Sequence, residues 1–165
     1  MKRLIDLIVY ILNNYPTIEE LSKPRLVKLI YLIDWKYTID FGEQYTNIKW
    51  FYNHYGPYVD EVIDTMKQNN DIFEVESYIN FYGSESNKFR VIDNNYEISL
   101  NDNIKKIADL LIDYTYKLKW NEFIGLVYST YPIKVNSKYS YLDLKELASE
   151  FRKLKGIKAT NKGYT

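Results

Sequence analysis

Apolar residues recur every three or four positions along most of the chain, which is the spacing of an amphipathic α-helix. The first helix is predicted over residues 2–14. The second begins with Pro24 in its first turn and ends at Gly42 as its C-terminal cap. A third helix is predicted to open at Pro57. The pattern returns in three later segments, which predict helices over residues 104–118, 123–127 and 144–151.

Between these helices lie segments that favour β-structure. Residues 73–82 and 88–92 are β-prone and flank the turn-forming residues 83–87, which predicts a small antiparallel hairpin. Residues 48–52 are also β-prone and lead to Gly56, which is expected to adopt a turn conformation.

The pattern as a whole predicts a mostly α fold of the α+β class. We expect one compact domain over residues 1–155, built from about six helices and a small antiparallel hairpin or sheet. Thr17 and Glu20 have the spacing of a capping box, which predicts a short helical turn after them. Residues 156–165 lack periodicity and are predicted to form a mobile tail.

Composition narrows the functional classes. The 165 residues include no cysteine, which excludes disulfides, thiolate metal sites and cysteine nucleophiles and favours a cytoplasmic location. Lys plus Arg and Asp plus Glu number 22 each, so no net charge attracts phosphates and nucleic acid is an unfavoured partner. Asp6 interrupts the apolar run that follows Met1, so neither a signal peptide nor a membrane helix is expected.

Aromatic residues are abundant, with 18 Tyr, 7 Phe and 3 Trp. Such side chains carry much of the binding energy at protein interfaces. The codons of Asn, Ile, Lys and Tyr are rich in A and T, so genome composition explains the tyrosines about equally well. The excess therefore favours a protein-binding surface without establishing one.

The sequence contains little that a catalytic site needs. His54 is the single histidine, and no nucleophile elbow, phosphate-binding loop or HExxH motif is present. We therefore expect no enzyme, no metal and no cofactor, and an enzyme that uses His54 and Asp60 is the weakest alternative. Asp60 and Asp64 share a helical face by their spacing, which more often marks a solvated surface than a metal site.

Asp34 is unusual because it lies beside the apolar stripe of the second predicted helix. A buried carboxylate needs partners, so we expect a polar anchor packed against Arg25, Lys28 or the backbone.

Two short motifs follow one another in this part of the chain. The distinctive positions of the first are Lys28, Leu29, Tyr31, Asp34 and Trp35. The second is the pair Gly56-Pro57, followed by Tyr58-Val59-Asp60. In this order and spacing they resemble the Panacea domain, a promiscuous antitoxin domain of bacterial and phage toxin–antitoxin systems.

The resemblance implies a mostly helical antitoxin, or a phage-encoded inhibitor, that binds a protein toxin or effector directly and neutralises it. The predicted contact surface consists of aromatic residues around the second motif, namely Trp50, Tyr52, Tyr55 and Tyr58. For Trp35 and Trp50, a place in the core is at least as well supported. The sequence indicates neither the toxin nor the oligomeric state.

Two other functions stay open. Helices followed by a hairpin are compatible with a winged helix that binds DNA, although Arg25, Lys28 and Lys36 supply only a few positive charges. The other function is that of a protease adaptor, which would deliver a bound client and use the tail as a handle.

Overall fold

The computed structural model describes residues 1–160, and seven helices and five short strands lie in this part of the chain. The helices are α1 (Lys2–Asn14), α2 (Lys23–Phe41), α3 (Glu61–Gln68), α4 (Asp102–Thr115), α5 (Trp120–Tyr128), α6 (Tyr131–Val135) and α7 (Leu144–Lys155). The strands are β1 (Phe51–Asn53), β2 (Gly56–Tyr58), β3 (Phe73–Ile79), β4 (Glu85–Val91) and β5 (Ser140–Tyr141). This is the mostly helical α+β fold that the sequence predicts.

Helix α2 lies at the centre of the fold and is buried on nearly all sides. Its N-terminus is capped by the Ser22 hydroxyl, which accepts a hydrogen bond from the Arg25 N–H, and Pro24 lies in its first turn. Gly42 ends it with a φ of 76°, the left-handed conformation that glycine adopts without a steric penalty. Helices α4 and α7 and strand β2 pack against it. Elements on several sides therefore bury most of the surface of α2, including the side chains of Arg25, Lys28 and Asp34.

Two small antiparallel sheets complete the fold. In the first, the strand order is β2-β1-β5, so β1 lies in the middle and β2 at an edge. The second is the hairpin of β3 and β4, which packs against α1 and α3. The first sheet matters for the candidate site, because it places residues 53–58 beside the N-terminal half of α2.

Several predicted elements are confirmed. Helices α1 and α2 have the predicted bounds to within a residue, and the later helices and the hairpin lie where the pattern indicates. The hairpin turn begins earlier than predicted: the Asn80 side chain accepts hydrogen bonds from the N–H groups of Tyr82 and Ser84. Residues 85–87 therefore belong to β4 and not to the turn.

The prediction that Pro57 opens a helix is wrong. Residues 56–58 form β2, with Pro57 opposite Tyr52 of β1, and α3 begins three residues later at Glu61. Proline has no backbone N–H to donate to a neighbouring strand, so it is excluded from strands that are paired on both sides but is accepted in an edge strand. A Gly-Pro pair is compatible with both outcomes, and pairing with β1 decides between them.

The predicted capping box at Thr17 is also wrong. Residues 18–20 form a single 3₁₀ turn, and the Thr17 hydroxyl makes no capping hydrogen bond and is buried without a hydrogen-bond partner. Thr17 has φ −125° and ψ 65°, which differs from the extended conformation of a residue that caps a helix.

Two short elements, α6 and β5, were not predicted, because five and two residues are too few for a periodic pattern. The predicted mobile tail, 156–165, lies partly outside the described residues. Within them, Gly156 ends α7, and the Thr160 N–H donates to the Asp40 carbonyl at 2.6 Å.

Gly56 and Gly83, which both have a positive φ, provide a matched pair of substitutions. A Cβ at Gly56 would lie 3.4 Å from Cε2 of Tyr128 and 3.7 Å from Cε of Lys28, whereas a Cβ at Gly83 would have no heavy atom within 4 Å. A Cβ would therefore fit at Gly56 in ordinary van der Waals contact, and the two sites differ mainly in the backbone: φ is 97° at Gly56 and 77° at Gly83, and the left-handed region that other residues can adopt lies at about 57°. We expect Gly56→Ala to lower the free energy of unfolding by about 1 kcal/mol more than Gly83→Ala, measured by chemical denaturation. Equal losses would show that the backbone at Gly56 accepts a Cβ as readily as the backbone at Gly83.

Candidate functional site

The Asp34 carboxylate is fully buried and accepts four hydrogen bonds from the segment that follows α2. The Trp50 Nε1–H donates at 2.9 Å, the Thr46 backbone N–H at 2.9 Å and the Gln44 amide at 3.1 Å, and the Thr46 hydroxyl supplies the fourth bond. These bonds hold residues 44–50 against α2. The strand that follows, β1, begins at Phe51 and so has a fixed starting point.

Asp34 is the buried polar anchor that the sequence predicts. Of the three predicted partners it contacts the backbone, through the Thr46 N–H, and not Arg25 or Lys28. Burial raises the pKa of Asp34 to about 6, although the hydrogen bonds from Thr46, Trp50 and Gln44 act in the opposite direction. Arg25 donates instead to the carbonyls of Thr115 and Leu118, at 3.0 and 2.7 Å, and so fixes the end of α4.

Two of the four predicted contact residues are interior residues. Trp50 is 0% exposed and lies edge-on to Tyr31 at 5.5 Å between ring centroids. Tyr52 is buried and faces Tyr128 at 6.4 Å between ring centroids. The prediction that these two rings form a contact surface is therefore corrected: Trp50 is held in the core by its hydrogen bond to Asp34, and Tyr52 faces the core from β1. Trp35 is buried as well, against Phe151.

Tyr55 and Tyr58, by contrast, line an open groove of about 550 Å³, called the aromatic groove below. It lies between the start of α2, the β1–β2 turn and one face of α5. Its lining residues are Pro24, Lys28, Asn53, His54, Tyr55, Tyr58, Trp120, Ile124 and Tyr128.

The rim and the floor of the aromatic groove differ. At the rim, Tyr55 is 74% exposed and Trp120 is 43% exposed, and neither ring is needed to fill the core. Tyr58 is half-buried, and its hydroxyl donates to Asp60 at 3.1 Å while Lys23 lies over its ring at 5.7 Å. Groups at the rim are therefore free to meet a partner.

Lys28 lies at the floor and is only 2% exposed. Its ammonium lies 5.9 Å from the centroid of the Tyr58 ring, a cation–π distance, and burial lowers the pKa of Lys28 to about 8. Within the described residues it forms neither a salt bridge nor a hydrogen bond that would offset its desolvation. Among its lining residues the groove thus combines aromatic side chains with one lysine, Lys28.

The structure does not join His54 to Asp60. The His54 Nδ1 lies 3.2 Å from the Tyr139 hydroxyl, while Asp60 accepts from Tyr58. No three acidic or histidine side chains group as metal ligands within residues 1–160. No helix in the same range is long and apolar enough to cross a membrane.

The β3–β4 hairpin is a poor wing for DNA. Its two strands carry three carboxylates and two cations, so they present no excess of positive charge to phosphate groups. One of the cations, Arg90, forms a salt bridge with Glu74 on the opposite strand. The tip, however, exposes Phe81 and Tyr82 almost fully and forms a second apolar surface.

Sequence reasoning missed the α5 side of the groove. Trp120, Ile124 and Tyr128 recur every four residues, which places them on one face of α5. That spacing is visible in the sequence, but the face of α5 towards β2 depends on tertiary packing. The grouping of Lys28 with these residues was not predicted either.

These observations define a class: a mostly helical α+β protein with an exposed aromatic groove beside a buried lysine. The family model for the antitoxin SocA-like Panacea domain matches residues 26–132, which is most of the chain and includes both motifs and α5. The chain belongs to this family. No curated protein and no solved structure is significantly similar to it.

The Asp34 anchor predicts a graded series of losses. Trp50→Phe keeps a ring in the core but removes one donor, and we expect it to cost about 1–2 kcal/mol of unfolding free energy. Asp34→Ala leaves several buried donors unpaired and should cost about 3 kcal/mol or more. Asp40→Asn, which removes only a partly exposed pair with Lys36, is the control and should cost less than about 1 kcal/mol. Urea denaturation measures all three, and a loss for Asp34→Ala no larger than that of the control would contradict the anchor.

Because Lys28 is desolvated, we expect its replacement by an apolar residue to stabilise the protein. Its folded pKa is below the unfolded value, so the folded state binds fewer protons between about pH 8 and 10.5, and stability rises with pH across that window. Lys28→Met removes the charge and should raise the free energy of unfolding at pH 7 by about 1–3 kcal/mol.

The difference between Lys28→Met and the wild type should shrink as the pH rises from 8 to 10. Tyrosine titrations change the free energy of unfolding of both proteins in the same way, so they cancel when one value is subtracted from the other. Lys23→Met, which removes a cation that lies over the Tyr58 ring but does not line the groove, is the control and should show no comparable gain. A Lys28→Met variant that is less stable than the wild type at pH 7 would show that the ammonium is already compensated.

Proposed function

We propose that this protein neutralises a protein toxin, or another cellular effector, by binding it directly through the aromatic groove. The observation that carries the proposal is the rim: Tyr55 and Trp120 are large, exposed aromatic rings beside a concave surface in a chain of an antitoxin family. Exposed aromatic rings beside a pocket that a partner's side chain fills on binding are typical hot spots of protein interfaces.

The groove is also well prepared for binding. Residues 53–58 are held by pairing between β1 and β2, and β1 is fixed through residues 44–50 by the Asp34 anchor. A surface that is already ordered loses little conformational entropy when a partner binds. The proposed activity needs no reaction at the site, so the protein would act as a binding protein and not as an enzyme.

The test is co-expression with the product of the neighbouring gene, followed by affinity measurement on the purified pair. Replacing Tyr55 and Trp120 together by Ala should weaken binding by about 2 kcal/mol or more, or about thirtyfold, and abolish rescue of growth. Thermal melting checks that the variant still folds, which is expected because both rings are exposed.

The matched control is Phe81→Ala together with Tyr82→Ala, which removes two exposed rings at the hairpin tip. If this variant no longer binds the toxin and the groove variant still does, the interface is the hairpin and the groove proposal is wrong. If no neighbouring or co-purifying protein binds at all, the antitoxin function itself is wrong.

Inhibition by direct binding and delivery to a protease predict different amounts of toxin in the cell. If the protein blocks its toxin by binding, the amount of toxin in the cell stays constant or rises during rescue. A protease adaptor would lower it, and the fall would disappear in a strain that lacks the protease.

A further inference from the structure

We propose that Lys28 is a recognition site for a carboxylate, carried on a segment of the partner protein next to an apolar side chain that fills the aromatic groove. The inference rests on the proposed function for the identity of the carrier, a protein. The chemistry of the site itself is argued from this chain alone.

The first step is a comparison among the four buried charged groups of the described chain, Asp6, Arg25, Lys28 and Asp34. Asp6 accepts from Lys2, from the Tyr96 hydroxyl and from a backbone N–H. Arg25 donates to two carbonyls and lies over the Phe123 ring, and Asp34 accepts four hydrogen bonds.

Lys28 is the exception. The contact found for its ammonium within residues 1–160 is the face of the Tyr58 ring. The stem of Lys28 is buried while its ammonium opens onto the groove, and no carboxylate, carbonyl or hydroxyl of the described residues is found paired with it. An anion that enters the groove would supply the missing partner.

The shape of the site selects the kind of anion. One ammonium faces the groove, and the other lining residues are mainly aromatic and aliphatic, which suits a single negative charge on an apolar body. Phosphate groups are usually held by several donors, by Arg or by a helix N-terminus, and the lining offers no Arg. A protein carboxylate, from an Asp or Glu side chain or from a chain terminus, fits better.

Gly56 locates the stem of Lys28. A Cβ at Gly56 would lie in van der Waals contact with both sides of the site, 3.7 Å from Cε of Lys28 and 3.4 Å from Cε2 of Tyr128. The lysine stem therefore runs between the β1–β2 turn and α5, and its ammonium reaches the groove. Two residues of the family motifs, Lys28 and Gly56, thus contribute to the same feature.

The experiment uses small probes on the full-length protein, so that it does not depend on a known toxin. Acetyl-Phe-Glu-amide carries a side-chain carboxylate, and acetyl-phenylalanine carries a terminal one. The matched neutral probes are acetyl-Phe-Gln-amide and acetyl-phenylalanine amide. Binding is followed by NMR, from the ¹³Cε signal of Lys28 and from its pKa with and without the probe.

We expect at least one of the two carboxylates to bind about tenfold more tightly than its amide and to raise the pKa of Lys28, because an ion pair favours the charged amine. The better of the two acids identifies the source of the carboxylate. Lys28→Met should abolish the preference for the acid, while Lys23→Met should keep it. Lys28→Arg, which retains a cation, should restore part of it.

Equal binding of acids and amides, or no binding of either, would overturn the carboxylate site. So would an unchanged pKa of Lys28 in the presence of a bound acid. Failure of the probes while the toxin still depends on Tyr55 and Trp120 would leave the proposed function standing. Probes that bind through Lys28, in a protein for which no toxin is found, would support the site and reject the function.

Discussion

The fold of the candidate site depends on one buried carboxylate. Asp34 lies in the middle of α2 and receives hydrogen bonds from three residues of the segment that leads into β1. A buried carboxylate that loses these donors is strongly unfavourable, so the segment has one low-energy path across the helix. The position of β1 follows from that path, and β2 and the turn at Tyr55 follow from pairing with β1.

Helix α2 therefore carries three buried charges with different roles. Arg25 fixes the end of α4, and Asp34 fixes the start of β1, so both are satisfied within the chain. Lys28 lies between them in sequence and faces the groove that the other two help to shape. A cation that has no ion-pair partner in the described chain and opens onto a groove is easier to understand as part of a binding site than as part of the scaffold.

Sequence reasoning reached the long elements and, of the nine residues that line the groove, named Tyr55 and Tyr58 as contact residues. Helices α1 and α2 were predictable because 13 and 19 residues repeat one period many times, whereas α6 and β5 are too short to show one. Tyr55 and Tyr58 were predicted as contact residues because they surround the second motif, and both line the groove. Trp50 has the place in the core that was the alternative to a contact surface. Tyr52 was misplaced because alternation along β1 sets which rings face the core, and strand pairing fixes that face only in three dimensions.

The difference between the buried residues beneath the groove and the exposed residues at its rim also indicates how the binding specificity of such a protein could change. Substituting Asp34, Tyr31 or Gly56 disturbs buried contacts and so changes the stability of the whole chain. Tyr55 and Trp120 are exposed, and replacing them removes little that the core uses. A new set of rim side chains would therefore alter the shape that the groove accepts, while the scaffold and the charge at Lys28 stay as they are. In this arrangement the identity of the partner is determined by residues whose replacement has little effect on folding.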